Sequence, residues 1–291
     1  MSNVKPMIRS VSPTLTAVVP VRDRALELER ALRSVLAQRR PVDEVVVVDD
    51  ASVMPVDLSW WPADAPPLHL VRNEAPAGSG GARNIGVAAS NSEWVAFLDS
   101  DDQWLPSHID LVLGLAPGAA VVLTGYRAVY GQGRSHHDVL PNLSRHAHRR
   151  LLRLYNQPVS CTTTAVAVEW FDKVEGFRQQ TAPLEDYDLI LRLAGQADIV
   201  SLRAVTALKE AGRADRVYSV ARDAQVVPVL MELHSPALAA DEVAARRFRA
   251  RLRLRVDQAG GRAGRWNPMA QSRRLRLDLP RRLTELSDRL R

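Results

Sequence analysis

Short apolar runs alternate with helix-spaced segments over the first hundred residues. Residues 14–19 are apolar and rich in β-branched side chains and end at Pro20, the pattern of a buried strand. Residues 24–38 carry Leu28, Leu32, Val35 and Leu36 at helical spacing. A second buried strand is predicted over 44–48 and stops at Asp49-Asp50-Ala51-Ser52. Residues 53–67, rich in proline and containing Trp60 and Trp61, read as an irregular crossover in which the tryptophans pack rather than bind. A third short strand is predicted over 68–71. A helix over 81–89 is entered through Gly78-Ser79-Gly80-Gly81. A fourth strand over 94–98 runs into Asp99-Ser100-Asp101-Asp102. Beyond residue 113 the pattern weakens. It predicts strands over 119–126, 162–168, 199–202 and 204–208. Residues 131–150 read as a polar loop holding His136, His137, His146 and His148, and Leu189, Ile190 and Leu193 place a helix over 186–194. From residue 215 onward only helices are predicted.

Strand and helix in alternation make a single mixed, mostly parallel sheet flanked by helices, an α/β fold with a C-terminal helical extension. Such sheets bind ligands beyond the carboxyl ends of their strands. Polar clusters follow three of the apolar runs: Pro20 to Asp23, Asp49-Asp50, and Asp99 to Asp102. In an extended segment residues i and i+2 face the same way, so Asp99 and Asp101 point together. Two clustered carboxylates suit a hard divalent cation, Mn²⁺ or Mg²⁺, with phosphate oxygens and water completing its shell. The plainer alternative is a turn that caps the next helix. A cap needs one carboxylate, whereas three in four residues need something to neutralise them.

Composition narrows the class. The 291 residues are 46% hydrophobic and 25% charged, which excludes collagen-like and wholly disordered chains. No apolar run reaches membrane-spanning length, and residues 1–13 lack the apolar core of a signal peptide. The one cysteine, Cys161, excludes an intramolecular disulfide framework. A cytoplasmic protein is expected. The net charge of +6 is uneven: residues 246–291 hold 15 arginines against 4 acids, leaving residues 1–245 mildly acidic. The basic C-terminus offers a solvated helical surface, an oligomer contact or a peripheral membrane contact. No nucleic-acid recognition motif accompanies it, so no nucleic acid is expected.

Five blocks, in order, resemble the family 2 glycosyltransferases, inverting enzymes of GT-A fold. They are Thr16 to Asp23, Val46 to Ser52, Arg72-Asn73 with Gly80 to Gly86, Phe97 to Pro106, and Gly176-Phe177 followed by Glu185-Asp186-Tyr187-Asp188-Leu189 and Arg192. The resemblance covers about residues 14–210. It implies that Pro20, Val21 and Arg22 line the donor's base pocket and that Asp50 contacts the base. Arg83 would lie near base or phosphates. Asp101 would ligate the metal, and Asp99 would touch the ribose, or the metal through water. Asp186 would be the general base, although a Glu-Asp pair at a helix start also favours the helix dipole without any chemistry. The donor implied is a nucleotide-diphosphate sugar, a UDP-sugar first among them, and the acceptor is unidentified.

The resemblance also divides the chain. Residues 1–112 would be the nucleotide-sugar half, 113–214 the acceptor and catalytic-base half, and 215–291 the basic extension. Departures are local. Many relatives place a metal-ligating His after the Glu-Asp pair, but residues 208–213 hold none, and Lys209 or Arg213 could help hold the diphosphate instead. His234 reads as a solvent-facing helix residue. Gly78 to Gly81 reads as a flexible loop near the donor. Cys161 reads as structural, with Ser160, Thr162 and Thr163 bordering the acceptor. Processive relatives carry Gln-x-x-Arg-Trp, whereas Arg265-Trp266 is preceded by Arg262, so a single transfer is expected. Two alternatives remain at this point: a metal-dependent nucleotidyltransferase, and a nucleotide-binding protein of this fold without turnover.

Overall fold

The computed structural model describes residues 12–130, 133, 135–143, 159–211 and 220–239, with isolated positions 242 and 246. The arginine-rich C-terminus past residue 246, His146 and His148 lie outside the described residues. Nine strands form one sheet in the order β3-β2-β1-β4-β8-β6-β9-β5, with β7 paired to β6. The strands are β1 (Leu15–Val21), β2 (Glu44–Asp49), β3 (Leu68–Arg72), β4 (Trp94–Phe97), β5 (Asp102–Trp104), β6 (Val121–Tyr130), β7 (Ser135–Val139), β8 (Thr164–Ala167) and β9 (Ile199–Ala211). Strands β3, β2, β1 and β4 pair in parallel. Strand β8 runs against both β4 and β6, and β9 pairs in parallel with β6. Strands β6 and β9 therefore point the same way as the first four, and the carboxyl ends of all six share one edge.

Burial on both faces explains why the early strands read as continuous apolar runs. Leu15, Ala17, Val19 and Val21 of β1 enter one core cluster, with Leu28, Leu32 and Val35 of α1 (Ala25–Leu36) and Ile109, Val112 and Leu113 of α3 (His108–Leu115). Val18 enters the other cluster. It packs there with Val87 of α2 (Gly78–Ala88), Phe171 of α4 (Val168–Lys173) and Leu189, Ile190, Leu191 and Leu193 of α5 (Glu185–Ala194). Val226 and Leu230 of α6 (Val220–Leu233) complete that cluster, and α7 (Ser235–Ala239) follows. Helix α2 lies close on the sheet because Gly86 has no Cβ; one there would strike Val18, with Val48 only 3.3 Å away. No helix among the described residues is long and apolar enough to cross a membrane.

The structure amends several sequence boundaries. Helix α2 begins at Gly78, so the glycine cluster is its first turn and not a flexible loop. The predicted polar loop contains β7, which carries His136 and His137 and pairs with β6 through Arg127 and Asp138. Two predicted short strands are one, β9, with the register shifts falling opposite Leu123 to Tyr126 of β6. Cys161 is buried at the head of a 3₁₀ turn, Cys161–Thr163, before β8. Trp60 and Trp61 pack against the core below Arg33, as expected of a crossover.

Candidate active site

The site lies past the carboxyl ends of β1, β2 and β4. Strand β4 ends at Phe97, and the chain turns tightly, the Asp102 N–H donating to the Asp99 carbonyl at 3.0 Å. Strand β5 then runs back against β9, with Asp102 directly across from Lys209. This turn gathers carboxylate oxygens of Asp99, Asp101 and Asp102 within 4.8 Å of one another. Asp102 was not among the expected site residues; its role depends on the β5–β9 register, which local sequence does not reveal.

Each acid of this triad has a cationic partner. Arg24 reaches Asp101 at 2.6 Å, and Arg83 reaches Asp99 at 2.5 Å. Lys209 donates to Asp99 at 3.0 Å and pairs closely with Asp102, which also accepts from the Thr162 hydroxyl at 2.5 Å. Burial works against ionisation of Asp99, but Lys209 and Arg83 hold it well below the usual carboxylate range. Burial pushes Asp102 up to about 7, with Asp99 and Asp101 adding to the rise against the pull of Lys209. Burial alone would lower the Lys209 ammonium, but Asp102 and Asp99 overcome it and keep the amine charged.

Arg83 links this triad to the Glu-Asp pair. It projects from α2, almost fully buried, with one nitrogen on Asp99 and another 3.4 Å from Glu185. Glu185 also accepts from the Ser79 hydroxyl at 2.5 Å. Its second oxygen and the Arg83 Nε are buried without a hydrogen-bond partner. Asp186, next on α5, is partly buried, and its carboxyl accepts from the Tyr187 N–H at 2.7 Å. Burial raises its pKa to about 7, and the Glu185 charge adds to the rise. Such a value suits a group that takes a proton near neutral pH.

Other expected residues lie on the same edge but are engaged elsewhere. Asp50 accepts from the Asn73 side chain at 2.8 Å and from the N–H groups of Ala77 and Gly78 at 2.7 and 2.9 Å. It thereby seats the start of α2, the reason that helix begins early. Its neighbour Asp49 pairs with Arg72 and takes the Ser52 N–H at 2.9 Å. Neither joins the acid triad. Pro20 and Val21 are buried at the end of β1, and Arg22 is exposed. His234 is not solvent-facing, contrary to expectation. It is buried and lies 2.8 Å from Asp188, which is fully buried on α5.

The triad's oxygen-only donor set fits a hard divalent cation. Asp99 and Asp101 are its more accessible members, while Asp102 is shielded.

Comparison with known proteins follows the same geometry. Residues 16–175 match the family described as Glycosyl transferase family 2. The succinoglycan biosynthesis protein ExoO of Rhizobium meliloti is 35% identical over 125 residues, covering 42% of this chain and 36% of that protein. An uncharacterized glycosyltransferase of Haemophilus influenzae is 27% identical over 184 residues, 62% of this chain and 61% of its own. A pre-mycofactocin glycosyltransferase of Mycobacterium tuberculosis is 30% identical over 200 residues, 62% of this chain and 38% of its own. The chain thus spans less than two thirds of the length of these relatives. Crystal structures of S. aureus TarS share the fold at 18–19% identity. The full structure has a TM-score of 0.64, covering 86% of this chain and 44% of TarS. A complex of TarS 1-349 with UDP-GlcNAc has a TM-score of 0.58, covering 75% and 66%. The GT-A architecture expected from the sequence is the one found.

Proposed function

The chain belongs to glycosyl transferase family 2, and on that premise we propose that it moves a sugar from a nucleotide-diphosphate sugar to an acceptor nucleophile, inverting the anomeric carbon. The observation that carries the reading is the Arg83 bridge, which holds the acid triad and the Glu-Asp pair in one site. Donor charge and acceptor proton are thereby handled by neighbouring groups. TarS, which shares the fold, has been crystallised with UDP-GlcNAc and with UDP, which supports a UDP-sugar as the first donor to test.

The roles follow from the chemistry. The acceptor hydroxyl attacks the anomeric carbon from the face opposite the diphosphate, and Asp186 takes its proton. Asp186 has the raised basicity for that task. Negative charge then grows on the departing diphosphate. A divalent cation, Mn²⁺ or Mg²⁺, held by Asp101 and Asp99 would neutralise part of it as a Lewis acid. Arg83 and Lys209 add fixed positive charge on the same side. Pro20, Val21, Arg22 and Asp50 lie on the edge where the base would enter. Asp50 acts there through the turn it holds. In this reading residues 1–112 bind the nucleotide, 113–214 the acceptor and base, and 215–291 extend the second half. One sugar is transferred per encounter.

Two readouts test the proposal. UDP-, GDP- and dTDP-sugars are screened by thermal shift with Mn²⁺, and bound donors are assayed for product. Expected are stabilisation by one nucleotide class, release of nucleoside diphosphate, and an inverted product by NMR. Release of pyrophosphate would assign nucleotidyl transfer instead. Binding without any product across broad acceptor panels would leave a nucleotide-binding protein.

A further inference from the structure

Lys209 projects from β9 onto the acid triad, and its surroundings are those of a built ammonium site. The Nζ reaches Asp99 at 3.0 Å, the Thr162 hydroxyl oxygen at 3.3 Å, and Asp102 in a close ion pair. An ammonium has three N–H donors, and all three find oxygen here. The Tyr126 ring lies 5.8 Å away on another side. The position is fixed by backbone pairing, because Lys209 faces Asp102 across the β5–β9 ladder and Ala128 across the β6–β9 ladder. The amine is therefore held by the sheet and is not a surface chain that has folded over an acid cluster.

Charge balance sharpens the point. Three carboxylates, Asp99, Asp101 and Asp102, face three cations, Arg24, Arg83 and Lys209, each in direct contact. Each of these carboxylates thus has a cation at hand without an added ion, Arg83 being shared with Glu185. A divalent cation entering alone would have to pull Asp99 and Asp102 from Lys209. A nucleoside diphosphate brings the opposite charge and meets a lysine and an arginine already in place.

We propose that Lys209 is the resident cation of this cluster, seated between Asp99 and Asp102 where a divalent ion would otherwise sit, so that a nucleoside diphosphate binds this chain without metal. The ion would then join second, held by Asp101 directly and by Asp99 through water. The inference rests on the donor reading above and adds an order of binding to it.

The test uses the full chain and binding alone. UDP, GDP and dTDP are titrated by calorimetry in EDTA and in Mn²⁺, and Mn²⁺ is titrated without nucleotide, read by the electron paramagnetic resonance of the free ion. In the wild type, one nucleotide binds in EDTA within about threefold of its affinity in Mn²⁺. Lys209→Met loses about tenfold or more of that EDTA affinity and gains about tenfold or more for Mn²⁺ alone. Lys209→Arg keeps the charge and retains binding in EDTA. Nucleotide binding by the wild type that vanishes in EDTA overturns the proposal, and this arm needs no folded variant. Unchanged Mn²⁺ affinity in a folded Lys209→Met also overturns it. If no nucleotide binds under any condition, the donor reading fails together with the nucleotide half of the proposal. The Mn²⁺ titration still decides whether Lys209 occupies the ion's place.

Discussion

At the scale of single residues, Asp186 is the group whose environment most clearly serves chemistry. Burial and the adjacent Glu185 raise its carboxyl to about 7, so near neutrality it passes between proton donor and acceptor. Transfer rate is expected to climb with pH up to about 7 and then level, because only the ionised form can take the acceptor's proton. A rate independent of pH between 5 and 8 would count against this base. Asp186→Asn should lower turnover by about 10²–10⁴-fold while leaving the donor dissociation constant unchanged. Stability moves the other way. The folded-state value lies above the ordinary 3.8, so between roughly 4 and 7 the native chain binds more protons than the unfolded one. The contribution of this group therefore falls as pH rises through that window. The Asn variant should be at least as stable as the wild type at pH 8, read by calorimetry. Asp186 was legible in sequence because a Glu-Asp pair at the start of an apolar-spaced helix is a local pattern. Asp102 and Lys209 were not read as partners, because they meet only through strand pairing over a hundred residues apart.

At the scale of elements, the seating of α5 decides where Asp186 points. Asp188 is fully buried two residues on and accepts from Arg192 at 2.9 Å, with His234 2.8 Å away. Arg192 in turn donates to the carbonyls of Val174 and Gly176. The extension beyond β9 thus touches the helix of the proposed base. His234→Ala leaves a buried carboxylate oxygen short of a partner and should cost about 1–3 kcal/mol in urea denaturation. His234→Gln, which keeps a donor, should recover part of it. Equal stability of all three proteins would mean that the contact contributes nothing. Burial opposes ionisation of Asp188, but His234 and Arg192 prevail and lower its pKa. Its stabilisation is complete above the ordinary value of 3.8 and is lost as pH falls through the lower folded value. The early elements were legible because strands buried on both faces spell unbroken apolar runs, as in residues 45–48 of β2. Strand β7 was not, since Ser-His-His-Asp-Val is polar and mostly exposed, and it is a strand only because β6 offers a free edge. Strand β5 is three residues long, too short for any period to register.

At the scale of the whole molecule, the order of the fold was legible and the docking of its last described helices was not. Five blocks in sequence order specify the strand ends that make the site. Helical spacing after residue 215 says that helices form but not which surface they cover. The structure answers with burial: Leu230 is fully buried and Val226 nearly so, in the same cluster as Val18 of the central strand. Among the described residues, α6 is therefore part of one core with the site-bearing half and not an appendage to it. Each fully buried aliphatic side chain is worth roughly 1.5–3 kcal/mol, so ending the chain after residue 211 should remove at least ~3 kcal/mol. For a protein of this size that corresponds to a fall of roughly 10 °C in melting temperature. Leu230→Ala in the full chain isolates the packing and should cost about 2–5 kcal/mol, which keeps the prediction open to test if the shortened chain does not fold. Melting within a degree or two of the wild type for both proteins would mean that α6 lies on the core without supporting it. Because α5 shares that cluster with α6 and its Asp188 meets His234, the shortened chain should lose turnover more steeply than donor affinity. Of the residues proposed to hold the nucleotide, Pro20, Val21, Arg22, Asp50, Asp99 and Asp101 lie in the first 112 residues, and Lys209 lies on β9, which the shortened chain keeps.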